Sequence, residues 1–208
     1  MNLISDVAGV AIAALLLIFA FYGVILLGGI GLYVLQSLGL YTLAQRRGIR
    51  KAWMAWVPVL NLWTLGSLSD QYQYVVKHRF HSRRKLLLGL AIGMAVLSAA
   101  YSVLYAGGII NLVAKLPQLA SVQEMLYMLR YQPVLMAAAG VSCVMWVLGL
   151  LQAVFQYLCL WDVYASCRPD RKVLYTVLSI LVPVTMPFFL FSCRNADKGM
   201  PPRKTADN

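Results

Sequence analysis

Long uncharged stretches alternate with short basic ones along this chain. Val7 to Gln45, Leu86 to Ala114, Pro133 to Trp161 and Val173 to Cys193 contain no charged side chain. Each reaches or exceeds the roughly 20 apolar residues that span a bilayer as a helix. A fifth uncharged segment, 52–69, lies between two basic runs. The pattern predicts an all-α fold, a polytopic helical membrane protein forming a single integral membrane domain over 1–208.

Length and proline content sort the five segments. As a straight helix, 52–69 reaches only about 27 Å, short of a hydrocarbon core of about 30 Å. Pro58 breaks it by removing a donor and clashing with the preceding turn, and Asn61 and Gly66 weaken it further. At about 100° per residue Trp53, Trp56, Leu60 and Trp63 share one face, suited to the headgroup boundary. Segment 52–69 is therefore expected to lie in or dip into the inner leaflet. Segment 173–192 is long enough to cross, and prolines are tolerated in transmembrane helices. Pro183 and Pro187 nevertheless favour a broken, non-crossing segment.

Charge sets the orientation. Lys and Arg cluster in 46–51, 77–85, 168–172 and 194–204, while 115–132 holds only Lys115 and Arg130. If all five segments cross, eight of the clustered and loop cations face outward against ten inward; with three crossings, sixteen are inside and two outside. The second arrangement satisfies the positive-inside rule, and placing a cation outside opposes the membrane potential by about 2.3 kcal/mol per 100 mV. The expected layout is three full spans (7–35, 86–114, 134–161), two proline-broken segments at the inner face (52–69, 173–192), an outer loop 115–132 and a cytoplasmic tail 194–208. The N-terminus is expected outside. Five full spans is the alternative.

Composition strengthens the class and narrows the partners. The chain is 61% hydrophobic and 12% charged, about half the charge of a soluble domain. A net charge of +11 would suggest nucleic acid in a soluble protein, but here the cations flank apolar spans, where anionic lipid accounts for them. Anionic lipids are the expected partners, with another membrane protein or self-association next, and nucleic acid is not expected. The start, MNLISDVAG, lacks a basic n-region, so the first apolar run reads as a retained span. Cys143, Cys159, Cys167 and Cys193 have no CxxC or Cys/His spacing and read as free thiols. No cofactor or metal is expected.

Candidate chemistry is sparse. Ionisable groups inside a span mark ion coupling and proton relays, and the predicted segments hold none. No Walker-type loop, GxSxG or HExxH is present. His78 and His81 lie in a basic strip that repels metal ions. Asp70 and Asp162 sit at membrane edges and are expected to pair with nearby Arg or Lys. A catalytic reading would require an acid, base or nucleophile partner beside one of them. Gln152 and Gln156 share a face of the third span, expected to serve packing.

LYTLAQRRGIRKAWMAWVPV and LWDVYASCRPDRKVLYTVLSILVPV run in the same order: aromatic helix end, basic turn, apolar segment, Val-Pro-Val. This suggests an internal repeat. YTLAQRRGIRKAWMAWVPVLNLWTLGSLSDQYQ and VPVTMPFFLFSCRNADKGMPPRK resemble a group of small multi-pass membrane proteins of Gram-positive anaerobic bacteria. Looser relatives share the order of Gly48, Trp53, Pro58 and Asn61. The resemblance covers the first hairpin and the C-terminal third. It implies a bacterial cytoplasmic (cell) membrane location and carries no activity.

The resulting expectation is a non-enzymatic membrane scaffold or accessory subunit. Trp53, Trp56 and Trp63 are expected to anchor at the interface, with Arg46, Arg47, Arg83, Arg84 and Lys85 on anionic lipid. Two rivals remain: a transporter or channel subunit with a polar pocket between Asn61, Asn111, Gln152 and Gln156, and a lipid head-group enzyme. For packing, small residues let backbones approach in lipid. Ala95, Ala99 and Ser102 on the second span are therefore expected against Gly149, Gln152 and Gln156 on the third. A large side chain at Gly149 is expected to overpack that contact.

Overall fold

The computed structural model describes residues 2–80, 82–115, 123 and 133–201. His81, nearly all of the expected outer loop 115–132, and the tail from 202 lie outside the described residues. All described elements are helical. The α-helices among the described residues are α1 (Asn2–Arg46), α2 (Asn61–Lys77), α3 (Arg83–Lys115), α4 (Pro133–Cys167), α5 (Lys172–Leu181) and α6 (Met186–Cys193). Short 3₁₀ turns occupy Ala52–Trp56, Pro169–Arg171 and Pro183–Thr185. Three helices, α1, α3 and α4, are long and apolar enough to cross a membrane. This is the membrane protein the hydropathy pattern predicts.

The core does not lie within the spans. Leu40, Leu43, Leu65, Leu68, Leu87, Leu160, Val163, Tyr164 and Leu190 form one buried cluster. They come from the last turns of α1 and α4, the first turn of α3, and α2 and α6. A helical head is thus packed at one end, and the three long helices project from it. Residues 13–31 of α1 are exposed without interruption, about 28 Å of helix, close to one hydrocarbon thickness. Apolar surface that no protein covers along this length requires lipid around it.

Both proline-containing segments break where expected. The chain makes one 3₁₀ stretch, Ala52–Trp56, then passes Pro58 before α2 starts at Asn61. The second breaks between Leu181 and Pro183. At 10 and 8 residues, α5 and α6 are each too short to cross a bilayer. One detail is corrected. Trp53, Trp56 and Trp63 do not share a helical face, because the break at Pro58 separates the first two from the third. Trp53 and Trp56 are exposed, while Trp63 is half-buried, with the Arg84 guanidinium 6.0 Å from its ring.

Local chemistry explains how the head turns its corners. α1 ends in a Schellman-type closure: Ile49 N–H donates to Ala44 O at 2.9 Å, and Gly48 has φ +70°. That left-handed position favours glycine, which has no Cβ to clash. Two other glycines permit close helix contacts. A Cβ on Gly39 would stand 2.8 Å from Leu190 C, where α1 meets α6, and one on Gly66 would stand 2.5 Å from Arg84 Cα, where α2 meets α3.

α3 and α4 pack against one another, but α3 does not use the expected face. Leu87, Ala91 and Gly108 are buried and Met94, Leu97, Tyr101 and Leu104 half-buried, whereas Ala95, Ala99 and Ser102 are exposed. The facing of a stiff helix is set where it is anchored. Leu87 belongs to the core of the head, and positions three and four apart follow it along one side. Ser102 donates to Ser98 O of its own helix at 2.8 Å, so it makes no bond across. On α4 the expected stripe holds better: Ser142, Met145, Gly149, Gln152 and Gln156 are half-buried. Gly149 is not tight, since an added Cβ would meet only Met94 Cε at 3.8 Å. It borders a cavity of about 560 Å³ with Met94, Tyr101 and Met145.

Candidate functional site at the basic end

Asp162, near the end of α4, is 1% exposed and accepts from four donors. Ser69 Oγ lies at 2.8 Å, Gln73 Nε2 at 2.7 Å, Arg83 Nη1 at 2.7 Å and Lys77 Nζ at 3.1 Å. Ser69, Gln73 and Lys77 are spaced by four along α2, so one helical face presents all three. Arg83 opens α3. One carboxylate therefore ties three helices together. Oδ2 accepts three of these bonds and Oδ1 the fourth, so the carboxylate is buried and paired with two cations. The expectation that it pairs with Arg or Lys is met.

Asp70 fills a matching role one turn away. It accepts from Arg83 N–H at 2.9 Å and Arg84 N–H at 3.3 Å, capping the start of α3. Arg84 Nε lies 3.9 Å from Asp70 Oδ2, the oxygen that also accepts the Arg84 N–H. Burial nevertheless pushes the Asp70 carboxyl above the usual carboxylate value, outweighing those two N–H groups and the nearby guanidiniums, which pull it down.

A second knot joins the end of α1 to the C-terminal segment. The Arg47 side chain is 2% exposed; Nη2 donates to Asp197 Oδ1 at 2.9 Å and to Ser166 Oγ at 2.9 Å. Arg46 Nη2 stands 3.4 Å from Asp197 Oδ2. Lys198 and Gly199 donate their N–H groups to Cys167 O and Ser166 O, and Gly199 lies so close to Ala165 O that no Cβ fits. Arg47 Nη1 and Gln71 Oε1 are buried without a hydrogen-bond partner among the described residues.

Outside these knots, the two basic runs border a common cavity of about 690 Å³. Arg50 and Lys51 come from the turn after α1; Arg79, Arg84 and Lys85 come from the α2–α3 corner. Among the described residues Asp70 is the cavity's one carboxylate, and Trp63, Tyr74 and Phe80 supply aromatic surface. Phe80 is 86% exposed, its ring 5.2 Å from that of Tyr74.

Of the five cations assigned to lipid from sequence, Arg84, Lys85 and Arg46 are exposed. Arg47 and Arg83 are corrections: their guanidiniums face the protein carboxylates of half-buried Asp197 and buried Asp162, because a charge withdrawn from water requires a counter-charge. Among the described residues, the polar groups expected to line a transporter pocket have separate surroundings. Asn111 is exposed and donates to Gly107 O, Gln156 Nε2 points to Met186 Sδ at 3.9 Å, and neither borders any of the cavities described above. Gln152 Oε1 is buried without a partner. Cys159, Cys167 and Cys193 are buried free thiols and Cys143 is exposed. Among the described residues no three His, Cys, Asp or Glu side chains are grouped to hold a metal ion.

The Asp162 cluster was missed from sequence, although a signal existed. Ser69, Gln73 and Lys77 form a polar i, i+4, i+8 ridge on a segment that otherwise buries Leu65 and Leu68. Such a ridge on a buried helix requires an internal acceptor. Compared with family models, with curated proteins and with solved structures, the chain matches none.

Proposed function

We propose that this protein is a non-enzymatic membrane scaffold or accessory subunit whose basic end binds anionic lipid. The observation that carries this reading is the convergence of both basic runs on one cavity that Trp63, Tyr74 and Phe80 also line. Cations beside interfacial tryptophans are the usual chemistry of a surface held against acidic head groups. Asp162, buried and paired with Lys77 and Arg83, favours a structural role for the buried charges over a catalytic one. The same proposal puts the basic end in the cytoplasm of a bacterial cell and the start of α1 outside, on the strength of the positive-inside rule and the family resemblance.

Arg84→Gln with Lys85→Gln tests it. Each cation near an anionic surface contributes about 1 kcal/mol, so the pair should lower phosphatidylglycerol retention roughly tenfold or more in native mass spectrometry. Arg83 is left in place because it holds Asp162. Retention equal to that of the parent chain would refute the reading.

A further inference from the structure

We propose that the cavity between the α1–α2 turn and the α2–α3 corner is a discrete site for a terminal phosphate or pyrophosphate carried by a lipid. This deepens, and rests on, the anionic-lipid reading above.

The free charge in the cavity is the first observation. Arg84 is partly satisfied by Asp70 and Trp63. Arg50, Lys51, Arg79 and Lys85 are exposed, and their side chains have no hydrogen-bond or ion-pair partner among the described residues. Cations that share one hollow repel each other and await an anion. Behind the wall, the Arg47 guanidinium is fixed by Asp197 and Ser166, and its Nη1 is buried. Its geometry is therefore set before any ligand arrives.

Number and shape of charges select the ligand class. A phosphodiester head group offers one charge and two free oxygens. A phosphomonoester carries about −1.5 to −2 at neutral pH and three strong acceptor oxygens, and a pyrophosphate carries more. Four unpaired cations with a fixed arginine behind them match the more highly charged group, because guanidinium bonds to phosphate oxygens are strong and directional.

The rim selects the source. Phe80 and Tyr74 are paired and exposed at the mouth, next to the start of a membrane-spanning helix. An exposed phenyl ring there loses apolar contact unless acyl chains cover it. A soluble phosphate would fill the hollow and leave the rings in water.

The test uses the purified full-length chain in mild detergent, with native mass spectrometry of bound lipid. Phosphatidic acid (monoester) and phosphatidylglycerol (diester) with matched acyl chains compete at equal concentration. Phosphatidic acid should be retained several-fold more. Arg50→Gln, Lys51→Gln and Arg79→Gln together should reduce it to the phosphatidylglycerol level. These side chains support no packing, and a charge-matched control (Arg171→Gln, Lys198→Gln and Lys204→Gln) should preserve the preference. Equal retention of the two lipids by the parent chain would overturn the phosphate site while leaving the anionic-lipid reading intact. Retention of neither would overturn both. Sodium pyrophosphate should compete weakly; if it displaces phosphatidic acid at equal concentration, the lipid source is wrong.

Discussion

At the scale of single residues, Asp162 concentrates the energetics of the head. An ionised carboxylate out of water is costly unless paired and hydrogen-bonded, and here four donors compensate it. Removing one partner leaves an uncompensated charge. Asp162→Asn and Arg83→Gln should each destabilise the protein by on the order of 3 kcal/mol. Lys77 is 39% exposed against 19% for Arg83, so its ammonium can be solvated when unpaired and its pair is screened. Lys77→Gln should therefore cost under about 1 kcal/mol. Thermal unfolding in detergent gives the order, and a Lys77 effect as large as the others would contradict it. Asp70 makes a pH prediction. Its folded-state pKa is raised by burial, so the ionised form is disfavoured in the fold. Its contribution is most favourable below the unfolded carboxylate value and is lost as pH rises through the folded one. Asp70→Asn, which never ionises, should gain stability relative to the parent as pH rises across that window. A difference in melting temperature that is constant with pH would contradict this.

At the scale of elements, contact distances separate glycines that look alike in the sequence. Gly66 sits where α2 crosses the first turn of α3, and a methyl group there would fall 2.5 Å from Arg84 Cα. Backbone cannot yield as a side-chain tip can, so Gly66→Ala should cost roughly 1–3 kcal/mol. Gly149 faces a cavity with only Met94 Cε nearby. Gly149→Ala should be neutral or stabilising by up to about 1 kcal/mol, through lower entropy of the unfolded chain. Melting temperatures of the two variants should move apart; a common sign and size would show that the packing is misread. This reverses the sequence expectation of a crowded Gly149, which assumed that the small residues of α3 and α4 face each other. Only α4 turns its stripe inward.

At the scale of the whole molecule, the head and the spans obey different solvents. The head buries its apolar side chains against one another, with polar knots at Asp162 and Asp197. The spans leave theirs exposed, to be covered by lipid or by another membrane-embedded surface. Because Arg50 and Lys85 border one cavity, they should lie on the same side of the membrane. Single cysteines at the two positions, in a background with the four native cysteines replaced, should react equally with an impermeant thiol reagent added from one side. Reaction of one alone would show that 52–69 crosses.

Uncharged run length determines where three spans lie, since bilayer thickness is a fixed yardstick. Proline chemistry likewise marks both breaks, at Pro58 and Pro183, because a missing donor acts locally. Which cations face solvent was not legible. Arg46 and Arg47 are neighbours in the chain, yet the second is buried against Asp197, 150 positions away. Arg83 and Arg84 divide in the same way, since successive residues on a helix point about 100° apart. The side of α3 that meets α4 was equally hidden, because it is fixed by Leu87 in the core and not by the small residues further along. Local sequence determines where helices start, stop and meet lipid. Only tertiary structure decides which side of each helix faces protein, because that follows from distant anchors acting through rigid elements.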